Sequence, residues 1–89
     1  MFRITLVCEG IPHPLGLEAA NDITESFRAN YPHEHNVRCS FDGEKLWLVA
    51  ENDHDPGGLN LMDEFSDNLS AYVGAFDGDM SIVAIEELP

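Results

Sequence analysis

An α+β fold with an antiparallel sheet is predicted by three features of this 89-residue sequence. Apolar residues alternate near both ends of the chain, recur every three or four positions in two intervening stretches, and flank an Asp-Gly pair near the middle. The resulting order is strand, helix, strand, a tight turn, then strand, helix, strand again. That is the order of a split βαβ, or ferredoxin-like, plait, in which both helices lie on one face of a four-stranded sheet. The expected strand order is 4-1-3-2, and the second sheet face stays open unless a partner covers it.

The opening "FRITLVCE" places Phe2, Ile4, Leu6 and Cys8 on one side and Arg3, Thr5 and Val7 on the other, the period of a strand with one buried face. "GIPHPLG" interrupts the pattern. From Leu17 the apolar residues Leu17, Ala20, Ile23, Phe27 and Tyr31 form a helical stripe, which ends near Asn30 because a residue ahead of Pro32 is pushed out of helical geometry. In "NVRCSFDGEKLWLVA" the Asp-Gly pair predicts a two-residue hairpin turn. Pairing Phe41 with Glu44 would set Cys39 against Leu46 and Val37 against Leu48 on the core face. Ser40 would then face Lys45 and Arg38 would face Trp47 on the other, the latter suited to a cross-strand cation–π contact. A second stripe, Leu61, Met62, Phe65, Leu69, Tyr72 and Val73, stops at Gly74, and "MSIVAIEEL" reads as the last strand.

Composition bounds the function. Seventeen acids against four bases give a net charge of −13, while the 44% hydrophobic content is that of a folding chain. Residues 1–89 are expected to form a single domain. Direct nucleic-acid binding is excluded as an expectation, because phosphate affinity needs the lysines and arginines that are scarce here. The acidity fits a surface that imitates a polyanion, adaptation to a salt-rich habitat, or a solubility device. The chain opens on Met1 without a basic region leading into a long apolar segment, so a cytoplasmic protein without membrane contact is expected. Cys8 and Cys39 sit at alternating apolar positions and read as reduced core thiols.

Two loops carry the chemistry-bearing residues. In a plait, the loop after the first helix and the loop after the third strand share one end of the sheet. The first contains His33, Glu34 and His35; the second, "ENDHDPGG", contains Glu51, Asp53, His54 and Asp55. His33, His35, Asp53 and His54 are therefore the candidate metal ligands, imidazole and carboxylate being suited to zinc, nickel or copper. The main reading of "ENDHDPGG" is structural, with Asp55 as helix N-cap and Pro56 as first helical residue, or with Asn60 capping a shorter helix. His13, between two prolines, reads as an exposed loop histidine in the position where some small-molecule-sensing plaits hold a ligand. Ser40, Ser66 and Cys39 stand in no recognisable nucleophile setting, no glycine-rich phosphate loop is present, and no cofactor other than a metal ion is suggested.

These observations favour a non-catalytic binding or regulatory protein acting through protein contacts. Glu18, Asp22, Glu25, Asp63, Glu64 and Asp67 make the helical layer negative, and Asp63, Glu64 and Asp67 are the expected contact residues for a basic partner. An inhibitor or immunity-type protein covering the basic surface of a nucleic-acid enzyme is the sharper form. The alternative is a small metal- or ligand-dependent enzyme using the histidine- and aspartate-rich loops. On the open sheet face, Arg3, Arg38, Lys45, Trp47 and Val49 gather three of the four basic residues with the only tryptophan, and this face is expected to be covered by a second copy or another protein.

Overall fold

Alternation in four segments and a 3.6-residue period in two others produce the elements expected of them. The computed structural model of the chain describes residues 1–74 and 78–89. Strand β1 (Phe2–Cys8) is followed by a 3₁₀ turn (His13–Leu15), helix α1 (Gly16–Asn30), strands β2 (His35–Phe41) and β3 (Leu46–Asn52), helix α2 (Leu59–Tyr72) and strand β4 (Met80–Glu87). The sheet order is β2-β3-β1-β4 with every pair antiparallel, the plait order read from the sequence. Ile4, Leu6 and Cys8 of β1, Leu46, Leu48 and Ala50 of β3, and Val37 and Cys39 of β2 meet Ala19, Ala20, Ile23 and Phe27 of α1 and Leu61, Phe65 and Leu69 of α2 in one core. Both helices thus cover the same sheet face. Each fully buried large side chain contributes roughly 1.5–3 kcal/mol. Among the described residues, no helix is long and apolar enough to cross a membrane.

The two cysteines are free and buried, as their positions imply. Burial, first among the causes, pushes the Cys8 thiol up to about 11 and the Cys39 thiol to about 12.

Leu17 departs from its expected place on the inward stripe and is 70% exposed. The buried face runs instead through Gly16, Ala20, Ile23 and Phe27, which keeps the helical period but starts it one residue earlier. Gly16 holds that position because a Cβ there would lie 2.4 Å from the Phe41 ring. Gly16→Ala, ordinarily favourable in a helix, is therefore expected to lower stability by about 1–3 kcal/mol through overpacking. Thermal melting of Gly16→Ala beside the Gly16→Ala/Phe41→Ala pair tests this, since removal of the ring should relieve most of the added penalty.

The hairpin also differs from its expected register. Phe41 pairs with Leu46, Ser40 with Trp47, Cys39 with Leu48 and Arg38 with Val49, a shift of two residues. Asp42 is the reason. Its Oδ1 accepts the N–H groups of Glu44 (2.9 Å) and Lys45 (2.7 Å), and its Oδ2 accepts the indole N–H of Trp47 (2.9 Å). The Asp42 N–H donates to the Lys45 carbonyl at 3.1 Å, and Gly43 takes φ +96°. A side chain that binds the backbone two and three residues ahead stabilises a longer loop than the two-residue turn. The bonds from Lys45, Trp47 and Glu44, in that order, hold the Asp42 carboxyl below its ordinary value. Because the shift is two, every side chain keeps its face. Arg38 no longer stands opposite Trp47, however, and the expected cation–π pairing across that position gives way to the Trp47–Asp42 bond.

The two outer strands end the sheet differently. At β2, Thr24 of α1 accepts the Cys39 N–H on its Oγ1 (3.0 Å) and lies 3.2 Å from the Cys39 carbonyl oxygen. At β4, the register against β1 slips between Thr5 and Leu6, leaving Val83 as an extra, exposed residue.

Candidate functional site

"ENDHDPGG" is first of all a folding device. The Asn52 side chain, fully buried at the end of β3, accepts the N–H groups of His54 (3.3 Å) and Asp55 (3.0 Å) on Oδ1 and so turns the chain. Asp55 then accepts the N–H of Asn60 on Oδ1 (3.3 Å) and that of Leu61 on Oδ2 (3.0 Å). These are N–H groups of the first turn of α2, which have no partner within the helix. Asp55 thus serves the helix entry from a distance by its side chain, but it is not the N-cap residue expected, and Pro56 is not the first helical residue. The chain makes one more turn, with the Gly58 N–H on the Asp55 carbonyl, and Gly58 at φ +73° stands at the N-cap position. A Cβ on Gly58 would come within 3.3 Å of Ile4 and Ile82, so a closely packed glycine completes the entry. Asn60 lies inside the helix and is not the cap.

The same turn carries His54 to the loop that follows α1. The His33 and His54 rings lie 5.4 Å apart at 68°. Between them Glu34 is turned inward and only 6% exposed. Its Oε1 accepts the Asn52 Nδ2–H at 2.8 Å, whereas its Oε2 is buried without a hydrogen-bond partner and lies 3.7 Å from His33 Nε2. Glu64 of α2 contacts the same His33 Nε2 through Oε2, and its Oε1 is likewise buried without a partner. Asn68, one turn further along α2, donates to the Glu64 carbonyl (2.8 Å) and to the Tyr31 hydroxyl (3.4 Å). One donor atom each from His33, Glu34 and His54 lie within 4.8 Å of one another.

The electrostatics follow from this packing. Burial pushes the Glu34 carboxyl up to about 7; the Asn52 bond opposes the rise, and the adjoining Glu64 carboxylate reinforces it. The bond to Glu64 raises His33, against the smaller effect of its own desolvation. Two carboxyl groups and an imidazole therefore share protons in a partly enclosed space, and the same donor atoms suit a borderline metal cation.

Of the four candidate ligands read from the sequence, His33 and His54 come together. His35 opens β2 opposite Glu51 and is exposed, while exposed Asp53 has its Oδ1 3.8 Å from His54 Nδ1. Glu34 and Glu64 complete the cluster instead. Glu64 was expected on the outer contact surface, yet its side chain is only 16% exposed; Asp63 and Asp67 do face outward. The signal for Glu64 and Asn68 was their spacing, three and seven residues after Leu61, which sets both polar residues on the apolar stripe.

On the open sheet face, Arg3 is paired with Glu51 (3.1 Å) and Glu86 (3.3 Å), and Lys45 with Glu9 (3.1 Å). Trp47 and Val49 are half-buried and Arg38 is exposed. Comparison of the chain with models of known protein families, with curated proteins and with solved structures found no match.

Proposed function

We propose that the protein is a non-catalytic binding protein that docks a basic partner protein through its helical layer, as an inhibitor or immunity-type protein would. The observation that carries this reading is the division of charge between the two sides of the molecule. Among the described residues, the lysine and arginine ion pairs all involve Arg3 and Lys45 of the sheet. Among the described residues, the helical layer exposes Glu18 and Glu25 of α1 and Asp63 and Asp67 of α2, none of them in an ion pair, against a single exposed base, Arg28, in the last turn of α1. An excess of unneutralised acids on one side accelerates encounter with a basic surface and discriminates against acidic partners.

The contact set is accordingly revised to Asp63 and Asp67 with the α1 acids, leaving Glu64 to His33. Reversing Asp63 and Asp67 together to lysine is expected to weaken capture of the partner at least about tenfold, with the far-UV spectrum unchanged. Salt of about 0.5 M should have a comparable effect, since charges more than about 8 Å apart are screened at physiological ionic strength. The measurement is titration calorimetry with a partner first retained by the immobilised chain at low salt. Binding indifferent to both reversal and salt would remove the acidic layer from the interaction. The alternative of a metal- or ligand-dependent protein is favoured by a different observation, the imidazole–carboxylate donor set at one end of the sheet.

A further inference from the structure

We propose that His33, Glu34 and His54 form a binding site for one divalent transition-metal ion of the zinc class, with Glu64 beside it as the adjoining carboxylate. The site is separate from the acidic docking layer and does not depend on it. Three observations converge on these residues. First, the donor atoms are already gathered, all within 4.8 Å, with His33 Nε2 and Glu34 Oε2 at 3.7 Å. Ligands of a tetrahedral zinc ion at its usual bond lengths lie about 3.3 Å apart, so a small inward movement of two surface imidazoles completes the geometry.

Second, a buried acceptor without a donor is destabilising and uncommon. Among the described residues, the side-chain atoms in that condition are Glu34 Oε2 and Glu64 Oε1, and both belong to this cluster. Glu34 cannot turn its free oxygen to water, because the residue is buried and Asn52 holds the other oxygen. In the metal-free chain a proton shared with the adjoining Glu64 carboxyl fills this place, and a cation that displaces the proton serves the same oxygen.

Third, the surroundings are those that position ligands. Asn52 both orients the Glu34 carboxylate and, through its Oδ1, fixes the backbone of His54, so one buried side chain aligns donors from two loops. The Asp53 carboxylate stands 3.8 Å from His54 Nδ1 and adds negative charge beside the ring. His33 and His54 are exposed, which leaves a path for the ion. Two nitrogens and a carboxylate oxygen select a borderline ion over magnesium or calcium, which prefer oxygen ligands alone. The proton now shared by His33 and Glu64 would leave as the ion binds, because a ligating imidazole nitrogen must be unprotonated.

The test uses the full chain without a purification tag, stripped of metal by a chelator, and titrates it with Zn²⁺ and Co²⁺. The expected result is one ion per chain by calorimetry, with a visible Co²⁺ absorption band and no saturable heat from Mg²⁺ or Ca²⁺. His54→Ala and Glu34→Gln should each raise the Zn²⁺ dissociation constant at least about tenfold. His13→Ala and His35→Ala should leave it unchanged. His54 is exposed, so that variant decides the matter even if Glu34→Gln disturbs the fold. The proposal is overturned by absence of saturable Zn²⁺ binding, by binding that survives His54→Ala, or by an equal loss in His13→Ala or His35→Ala.

Discussion

Replacing Asp55 by alanine is expected to destabilise the protein by about 2–3 kcal/mol and to lower its melting temperature by roughly 10–20 °C. A surface N-cap is worth about 1 kcal/mol. Asp55 is worth more because it is buried and its two oxygens serve two amides, one of them on Leu61 in the core. Alanine would leave the Leu61 N–H shut away from water, at a penalty of about 1–3 kcal/mol. The backbone N–H of Asp55 would still reach Asn52, so the loss isolates the side-chain bonds to the helix entry. A chain of this length has a total stability of only about 5–13 kcal/mol, which makes the shift easy to read by thermal denaturation. Asp55→Asn, which retains an acceptor, should recover part of it. A melting temperature within a few degrees of wild type for Asp55→Ala would show that water reaches the helix entry.

The second large effect is on pH dependence in the metal-free protein. Glu34 ordinarily titrates at 4.5 and is raised by burial to about 7. The folded chain therefore keeps a proton that the unfolded chain releases between these values. The resulting stabilisation is fully present below 4.5 and is lost as the pH rises through 7. His33, raised above its ordinary 6.5 by the bond to Glu64, has the same sign: its contribution is present below 6.5 and disappears as the pH rises through its folded value. Unfolding free energy measured in urea, with chelator present, should fall between about pH 5 and pH 8, by on the order of 2–3 kcal/mol from Glu34. Mutual repulsion in a chain of net charge −13 acts in the same direction. Glu34→Gln separates the two causes, since it should flatten the slope and leave only the general repulsion. An unchanged slope in that variant would mean that Glu34 is ionised throughout.

The elements were legible because each is written locally. Alternation in β1 and β3 and the stripe through Ile23 and Phe27 mark which faces are buried, and the strand–helix order then restricts the sheet to few topologies. Details set by one side chain acting at a distance were not legible. The hairpin register depends on Asp42 binding Lys45 and Trp47, bonds that override the two-residue turn the Asp-Gly pair by itself favours. Leu17 falls outside because Phe41, distant in sequence, occupies the space over Gly16. The site was half legible. Its place at one end of the sheet followed from topology, and both ring ligands from residue type. Glu34 reads from the sequence only as a loop acid and Glu64 as an outer contact residue, because acids next to exposed residues are ordinarily solvated. Only Asn52 and the packing of α2 against the loop turn these two inward.

A sheet of four strands has two outer rims, and on this one neither suits the addition of a further strand. Thr24 takes up the Cys39 N–H near the middle of β2, so an incoming segment would find the ladder interrupted at its centre. The rim at β4 is broken by the slip at Val83 and ends in Glu86 and Glu87, which repel the same acids on another copy. Among the described residues, neither rim therefore offers an unbroken ladder for edge-to-edge growth. Thr24→Val, which keeps the shape of the side chain but removes its oxygen, frees the Cys39 N–H at the β2 rim and is expected to raise the tendency of the native chain to associate edge to edge while the core remains intact.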